Sequence, residues 1–466
     1  MDQAGARESE YAGAAALART AWTAIGGKAR ALDAVTFTGD GELPSAFPVT
    51  DFGCAAIAAA ALAVAELVAA RGGKFPAIAI DRRLASFWLF RSIRPIGWEV
   101  PPVWNAVAGD YATRDGWIKL HNNQPHHRAA SLKVLGVPEQ REAVARAVAS
   151  WGSTELETAI VAAGGCAAEM RSAAAWAAHP QGQAVAAEPL VHMAAREAGV
   201  PLPLADVPAR PLQGLRVLDL TRVLAGPIGT RFLAGYGADV LRIDPPTWDE
   251  PGLVPEVTLG KRCARLDLRA DADRATFEAL LRQAHVFVNG YRSDALERLG
   301  YGPATRRRLA PGLIDVCLDA YGWTGPWATR RGFDSLVQLS SGIAEAGQRW
   351  RKADKPVSLP VQALDEATGY LIAAAAIRGV TERFSRGTGL DARLSLARSA
   401  KLLNDARGEP KTAPLAPETP ADLAPAIEPT SWGPAHRLSP PVVVAGVPMR
   451  WDRPATALGT APASWS

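Results

Sequence analysis

The sequence predicts an α/β protein, with a large domain built on a doubly wound parallel sheet and a smaller α+β domain beside it. Three observations carry this. Apolar strands alternate with helical patterns through the second half of the chain, Asp115-Gly116 marks a hairpin in a separate module of the first half, and an alanine-rich helix-plus-strand segment occurs twice.

Along the chain, residues 52–70 read as an alanine-rich helix, ended by Gly72-Gly73 before a short strand at 77–80. A hairpin then joins Gly109-Asp110-Tyr111 to residues 117–121, and helical patterns follow at 139–151 and 153–163. In the second half, RVLDL at 216–220 is a strand, 227–236 a helix and 239–243 a strand, one βαβ unit. A helix at 272–283 leads into HVFV at 285–288, and LIDVCL at 313–318 supplies another strand. Such near-continuous apolar strands belong to a parallel sheet covered on both faces, and ligands sit at the carboxyl ends of its strands. Pro-rich stretches at 201–211 and 409–430 set the boundaries: 1–100 a partial large-domain repeat, 101–205 the small domain, 211–405 the large domain, and 406–466 a Pro-rich linker with a closing tail.

At 466 residues the chain is long enough for two or three domains. Hydrophobic residues make up 48% and charged residues 21%, which excludes collagen-like and wholly disordered classes. Lys plus Arg number 51 against 47 acidic residues, so the net +4 gives no bulk attraction to nucleic acid or to a membrane surface. Cys54, Cys166, Cys263 and Cys317 form no CxxC pair, which points away from a disulfide frame or zinc site and toward a reducing compartment. The N-terminal MDQAGARESEYAG has no apolar signal core. The apolar run at 54–68 is interrupted by Glu66 and falls short of the ~20 residues of a bilayer span, so it reads as a buried helix of a soluble, cytoplasmic protein.

The repeat aligns the segment from Asp51 to Asp81 with that from Asp365 to Ser395, 30 positions in each. Alanine-rich helices also match by composition alone.

Several residues carry candidate chemistry. Leu224-Ala225-Gly226-Pro227-Ile228-Gly229 joins strand to helix, and its small residues admit either a phosphate at the helix N-terminus or simply a tight turn packing the helix on the sheet. Asp244 follows the second strand, where a dinucleotide reading wants a ribose acceptor. Lys261-Arg262 and Arg298 flank strand ends, while Arg306 to Arg308 read as solvated surface. Asp365 opens an apolar helix, compatible with an N-cap and with a nucleophile in a partly dry site; Asp334 is the second acid. His121, His126 and His127 read as surface or turn residues, and Trp323 and Trp327 as packing.

Ordered blocks make the pattern specific: residues 212–246 (LQGLRVLDLTRVLAGPIGTRFLAGYGADVLRIDPP), Gly260-Lys261-Arg262, 286–291 (VFVNGY), ALERLG from Ala295, Tyr321-Gly322 with Gly325-Pro326, and Gly332-Phe333-Asp334. Together they resemble the family III coenzyme A transferases. The resemblance implies a Rossmann-like large domain, a small domain and an interlocked homodimer. Coenzyme A would be the carried group, the partners an acyl-CoA and a carboxylic acid, with no metal, redox cofactor, nucleic acid or membrane. Residue by residue, it implies that Val223, Leu224 and Ala225 contact the CoA nucleotide, Lys261 and Arg331 serve its phosphates and neighbouring groups, Tyr291 meets the adenine, and Arg298 and Leu299 follow it. Asp365 matches the catalytic aspartate of an Asp-x-x-x-Gly pattern completed by Gly369, and Asp334 an additional active-site acid.

Residues 115–118 (DGWI), 134–136 and 179–182 resemble the same family's small domain, and the tail its closing segment, so the segments stand in a duplicated or permuted order. Gly290 replaces a usual Asn, Pro245 a basic residue of some members, and Ala55 the glycine of the first repeat, where Asp51 reads as structural. The implied reaction is CoA transfer through an aspartyl anhydride and an aspartyl-CoA thioester. Rival readings are a 2-methylacyl-CoA racemase, disfavoured because Phe333 stands in its Gly-His-Asp pattern, a catalytically silent CoA-binding protein, and an NAD-dependent oxidoreductase resting on Asp244.

Overall fold

The computed structural model describes residues 11–197, 209–409 and 413–465, together with 202 and 204. The readings of residues 1–10 and of most of the 201–211 junction lie outside these.

The apolar strands of the second half assemble into a seven-stranded sheet. Its order is Lys261–Arg265, Asp239–Asp244, Arg216–Leu220, Val286–Asn289, Ile314–Asp319, Thr388–Ser395 and His192–Glu197, all parallel except the last. Arg216–Leu220, the first parallel strand of this sheet in chain order, lies inside it, so the winding direction reverses between it and Val286–Asn289. A crevice opens at such a reversal, outside the carboxyl ends of the strands. The edge strand His192–Glu197 falls in the segment expected to close the small domain; its antiparallel pairing with Thr388–Ser395 instead moves it into the large sheet.

The two alanine-rich helices, Val49–Ala70 and Ala363–Arg386, pack against each other at the centre of the main core. The Val49–Ala70 helix is long and apolar enough to cross a membrane, but 83% of its most apolar window is buried inside the protein. Their surroundings repeat. Each helix leads into a strand, Ile78–Asp81 or Thr388–Ser395, that pairs in parallel with a neighbour. Each strand ends in a residue whose side chain caps the next helix: Asp81 accepts from Leu84 N–H (2.9 Å) and Ser395 from Arg398 N–H (3.2 Å).

The hairpin strands Gly109–Ala112 and Trp117–Leu120 pair antiparallel, and Ala167–Glu169 extends them over a separate small core. The tail is not a free segment. Val442–Val444 joins Ile78–Asp81 antiparallel, and Gly433–Arg437 pairs with Ile93–Pro95, so residues 406–466 complete the sheets of residues 1–100.

Candidate functional site

A cavity of about 960 Å³ lies over the carboxyl ends of the large sheet. Leu220, Asp244, Leu266, Gly290, Asp319 and Leu396, each at or just past a strand end, form its floor, and residues 124–127 of the small domain close it from the other side. Arg222, Arg269, Arg292, Arg298, Arg330 and Arg331 border it. The weak overall positive charge is thus concentrated where a phosphorylated ligand would lie.

Val223 and Ala225 line this cavity, and Val223 takes the left-handed region with φ 65°. A β-branched side chain is strained there. Its N–H is held by Glu250 Oε2 at 3.0 Å; Glu250 pairs with buried Arg242, which also grips Asp244 at 2.8 Å. Asp244 therefore anchors the loop through a buried ion triad and does not stand open as a ribose acceptor. Leu224 is half-buried and packs against the main core.

Tyr291, Leu299 and the largely exposed Arg298 border the same cavity. Arg222 stacks between Tyr291 and Trp248, 4.4 and 4.1 Å from the ring centroids. Neither Arg222 nor Trp248 was a sequence candidate, because only the folded loops bring these three side chains together.

Lys261 requires a correction. It is 1% exposed and outside the cavity lining, its Nζ bonded to Asp219 (3.0 Å) and to the Pro227 carbonyl (2.8 Å). It neutralises a buried carboxylate and braces the loop helix from below. Arg306 is corrected likewise: it is buried and paired with Asp315 at 2.8 Å, whereas Arg307 and Arg308 are exposed.

Asp365 lies in the first turn of the Ala363–Arg386 helix, borders the cavity, and is 7% exposed. The N-cap is Gln362, so Asp365 does not cap its own helix. Asp334 does that work: its Oδ2 accepts from Leu364 N–H at 2.8 Å and Asp365 N–H at 3.0 Å, and Gln338 bonds its other oxygen. Asp334 is 1% exposed and does not line the cavity, so it holds the helix start and touches no ligand space. Among the described residues no donor bonds the Asp365 carboxylate. Burial first, then the Asp334 charge, push Asp365 well above the usual carboxylate range, while burial pushes Asp334 up from 3.8 to about 6.

Gly369 sits one turn after Asp365. A Cβ there would lie 2.6 Å from the Ala225 carbonyl oxygen, and one on Gly229 would lie 2.7 Å from the Gly369 carbonyl. The two glycines let the long helix lie directly on Ala225–Gly235 and bring Asp365 to the loop that carries Val223.

The first repeat differs in the residue that follows its strand. Arg82, 31 residues after Asp51, binds its Oδ1 at 2.8 Å and also bonds Glu42; Leu396, 31 residues after Asp365, lines the cavity instead. Asp51 is 1% exposed.

Two of the three histidines also require a correction, His126 being exposed as expected. His121 is 7% and His127 3% exposed. The His121 ring stacks on Phe333 at 3.7 Å with a 1° interplanar angle, and His127 meets the same ring edge-on at 5.9 Å. His126 and His127 both border the cavity. Nothing in local periodicity places them there. Arg331 also borders it, its guanidinium donating to the Gly164 carbonyl at 3.0 Å. Among the described residues, no cluster of three or more His, Cys, Asp or Glu is arranged to hold a metal ion.

Residues 212–421, which span the loop, the sheet and Asp365, match the family described as CoA-transferase family III. A probable fatty acyl-CoA transferase of Mycobacterium tuberculosis is 31% identical over 194 residues, 39% of this chain and 49% of the relative. The human succinyl-CoA:glutarate CoA-transferase is 30% identical over 194 residues, 39% of this chain and 44% of the relative. The chain thus spans about half the length of these relatives or less. A crystal structure of the mycobacterial protein aligns with 42% of this chain and 56% of its own at 28% identity, with a TM-score of 0.39.

Proposed function

We propose that this protein transfers coenzyme A from an acyl-CoA thioester to a carboxylic acid, with Asp365 as nucleophile. The observation that carries the reading is the position of the Asp365 carboxylate: it borders the arginine-lined cavity that also contains Val223, Ala225 and Tyr291. The family match of the surrounding segment supports the class of reaction.

In the first step an Asp365 oxygen attacks the thioester carbonyl carbon, the C–S bond breaks, and CoA leaves as thiolate from a mixed anhydride. The thiolate then attacks the aspartyl carbonyl, releasing the donor carboxylate and leaving an aspartyl-CoA thioester. The acceptor carboxylate reverses both steps, regenerating Asp365 and a new acyl-CoA. The ordering of Asp365 by Asp334, Gly369 and Gly229 supports this role, because a nucleophile gains most from a fixed approach. The repeat of helix, strand and capped helix supports a duplicated or permuted descent, in which one chain supplies segments that an interlocked dimer draws from two copies; a cytoplasmic location fits the four free cysteines.

Hydroxylamine trapping during turnover tests the reading. The parent protein is expected to yield a hydroxamate at Asp365 and Asp365→Asn none; an Asp365→Asn protein that turns over as fast as the parent refutes it.

A further inference from the structure

His127 belongs to no part of the reaction described so far, yet its surroundings are unusual. It is 3% exposed, and neither ring nitrogen has a hydrogen-bond partner among the described residues. Buried polar atoms are nearly always paired, so an imidazole with both nitrogens unpaired beside a cavity points to a ligand that pairs them. Its place within that cavity is defined. The ring packs on Phe333, the next residue, Asp334, accepts the Asp365 N–H at 3.0 Å, and His127 and Asp365 line the same cavity.

Two further features fix what the ring offers. His127 is the third residue of the Pro125–Leu135 helix, whose N-cap Gln124 makes no side-chain cap; the first-turn N–H groups have no intrahelical partner, and residues 124–127 line the cavity. Burial, with His126, His121 and Arg331 nearby, pushes the ring down to about 3 and keeps it neutral, with one N–H donor and one acceptor nitrogen.

We propose that His127 donates a ring N–H to the acyl carbonyl oxygen of the thioester attacked by Asp365, as a catalytic residue of the transfer. As the Asp365 oxygen bonds to the carbonyl carbon, the C=O electron pair moves onto that oxygen and its hydrogen bond from His127 strengthens. No proton changes owner, and collapse of the adduct returns the pair and expels the thiolate. A neutral donor aimed at the developing charge stabilises it without first having to be desolvated.

The assignment rests on the transferase reading, and the test separates the two. The full chain, His127→Phe and His127→Gln are compared for CoA binding and for the rate of Asp365 hydroxamate formation from acetyl-CoA and succinyl-CoA. The expected result is a roughly 100- to 1,000-fold slower reaction in His127→Phe, with CoA affinity within about threefold and His127→Gln, which keeps an N–H donor, recovered to within about tenfold. Unchanged rates in His127→Phe overturn the assignment, as does an equal loss in both variants accompanied by weakened CoA binding. Deuterium wash-in at the acyl α-carbon that depends on His127 overturns it by making the ring a base. A parent protein that binds CoA but forms no hydroxamate removes the transferase reading and this role with it. Should His127→Phe fail to fold, the parent's His127 ring 15N shifts decide: movement on adding either thioester supports the contact, and no movement overturns it.

Discussion

Arg82 Nη2 lies 2.8 Å from Asp51 Oδ1 in the interior, and it occupies the offset from Asp51 that Leu396 occupies from Asp365. Both carboxylates border cavities, Asp51 one of about 520 Å³ and Asp365 one of about 960 Å³, but Asp51 is paired with a guanidinium and no cation pairs with Asp365 among the described residues. The guanidinium beside Asp51 cancels its charge, while the leucine at the same offset from Asp365 supplies no charge.

Asp51→Asn is therefore expected to leave the transfer rate within about twofold of the parent. Arg82→Leu takes the guanidinium from two buried carboxylates, Asp51 and Glu42, and is expected to cost about 3–5 kcal/mol. Urea unfolding of the two variants, alongside hydroxamate formation, checks both statements; a large activity loss in a folded Asp51→Asn protein contradicts the structural role of Asp51.

Gly369→Ala places a methyl 2.6 Å from the Ala225 carbonyl, backbone that cannot swing aside. Overpacking of this kind costs about 1–3 kcal/mol. The displaced helix start also carries Asp365 off its line of approach, for which roughly a 100-fold loss of rate is expected. Thermal unfolding and single-turnover kinetics measure the two effects separately, and a rate equal to the parent's would show that the close approach of the helices does not serve the nucleophile.

The pH profile follows from the Asp334–Asp365 pair. Asp365 attacks only as the anion, and its carboxyl is held well above the usual range, so adduct formation rises with pH through that raised value. Asp334→Asn can still accept from Leu364 and Asp365 N–H but removes a neighbouring negative charge, and the rising limb is expected to move to lower pH. For stability the sign is the opposite of the usual carboxylate case. The contribution of Asp334 is fully present below 3.8 and is lost as pH rises through about 6, so Asp334→Asn is expected to flatten the decline over that window. Thermal melts and rates taken across the same pH series test both.

Val223→Gly is expected to leave stability unchanged or to raise it by up to about 1.5 kcal/mol. Relief of the left-handed strain, about 1–2 kcal/mol, exceeds the entropy cost of glycine, about 0.5–1 kcal/mol. CoA is expected to bind more weakly, since the loop that Glu250 holds in one shape then samples others. Denaturant titration and CoA titration read the two changes.

The amino-acid sequence by itself determined four inner strands of the large sheet, the loop at 224–229, the two alanine-rich helices and the 30-residue register that pairs Asp51 with Asp365, but not the strands Lys261–Arg265, Thr388–Ser395 and His192–Glu197. Each is written in local periodicity, small-residue spacing or repetition, which neighbouring residues impose on one another. Tertiary structure alone decided which charges are used inside. Lys261 turns to Asp219, 42 positions away, and Arg82 to Asp51. It also decided that the Val442–Val444 tail completes a sheet begun at Val35–Thr38, and that His127 from a distant segment meets Phe333, the residue before Asp334. The reason is physical. Burial of a charge or an imidazole is settled by whatever partner lies across the core, and that partner comes from a distant stretch of chain that no local pattern announces.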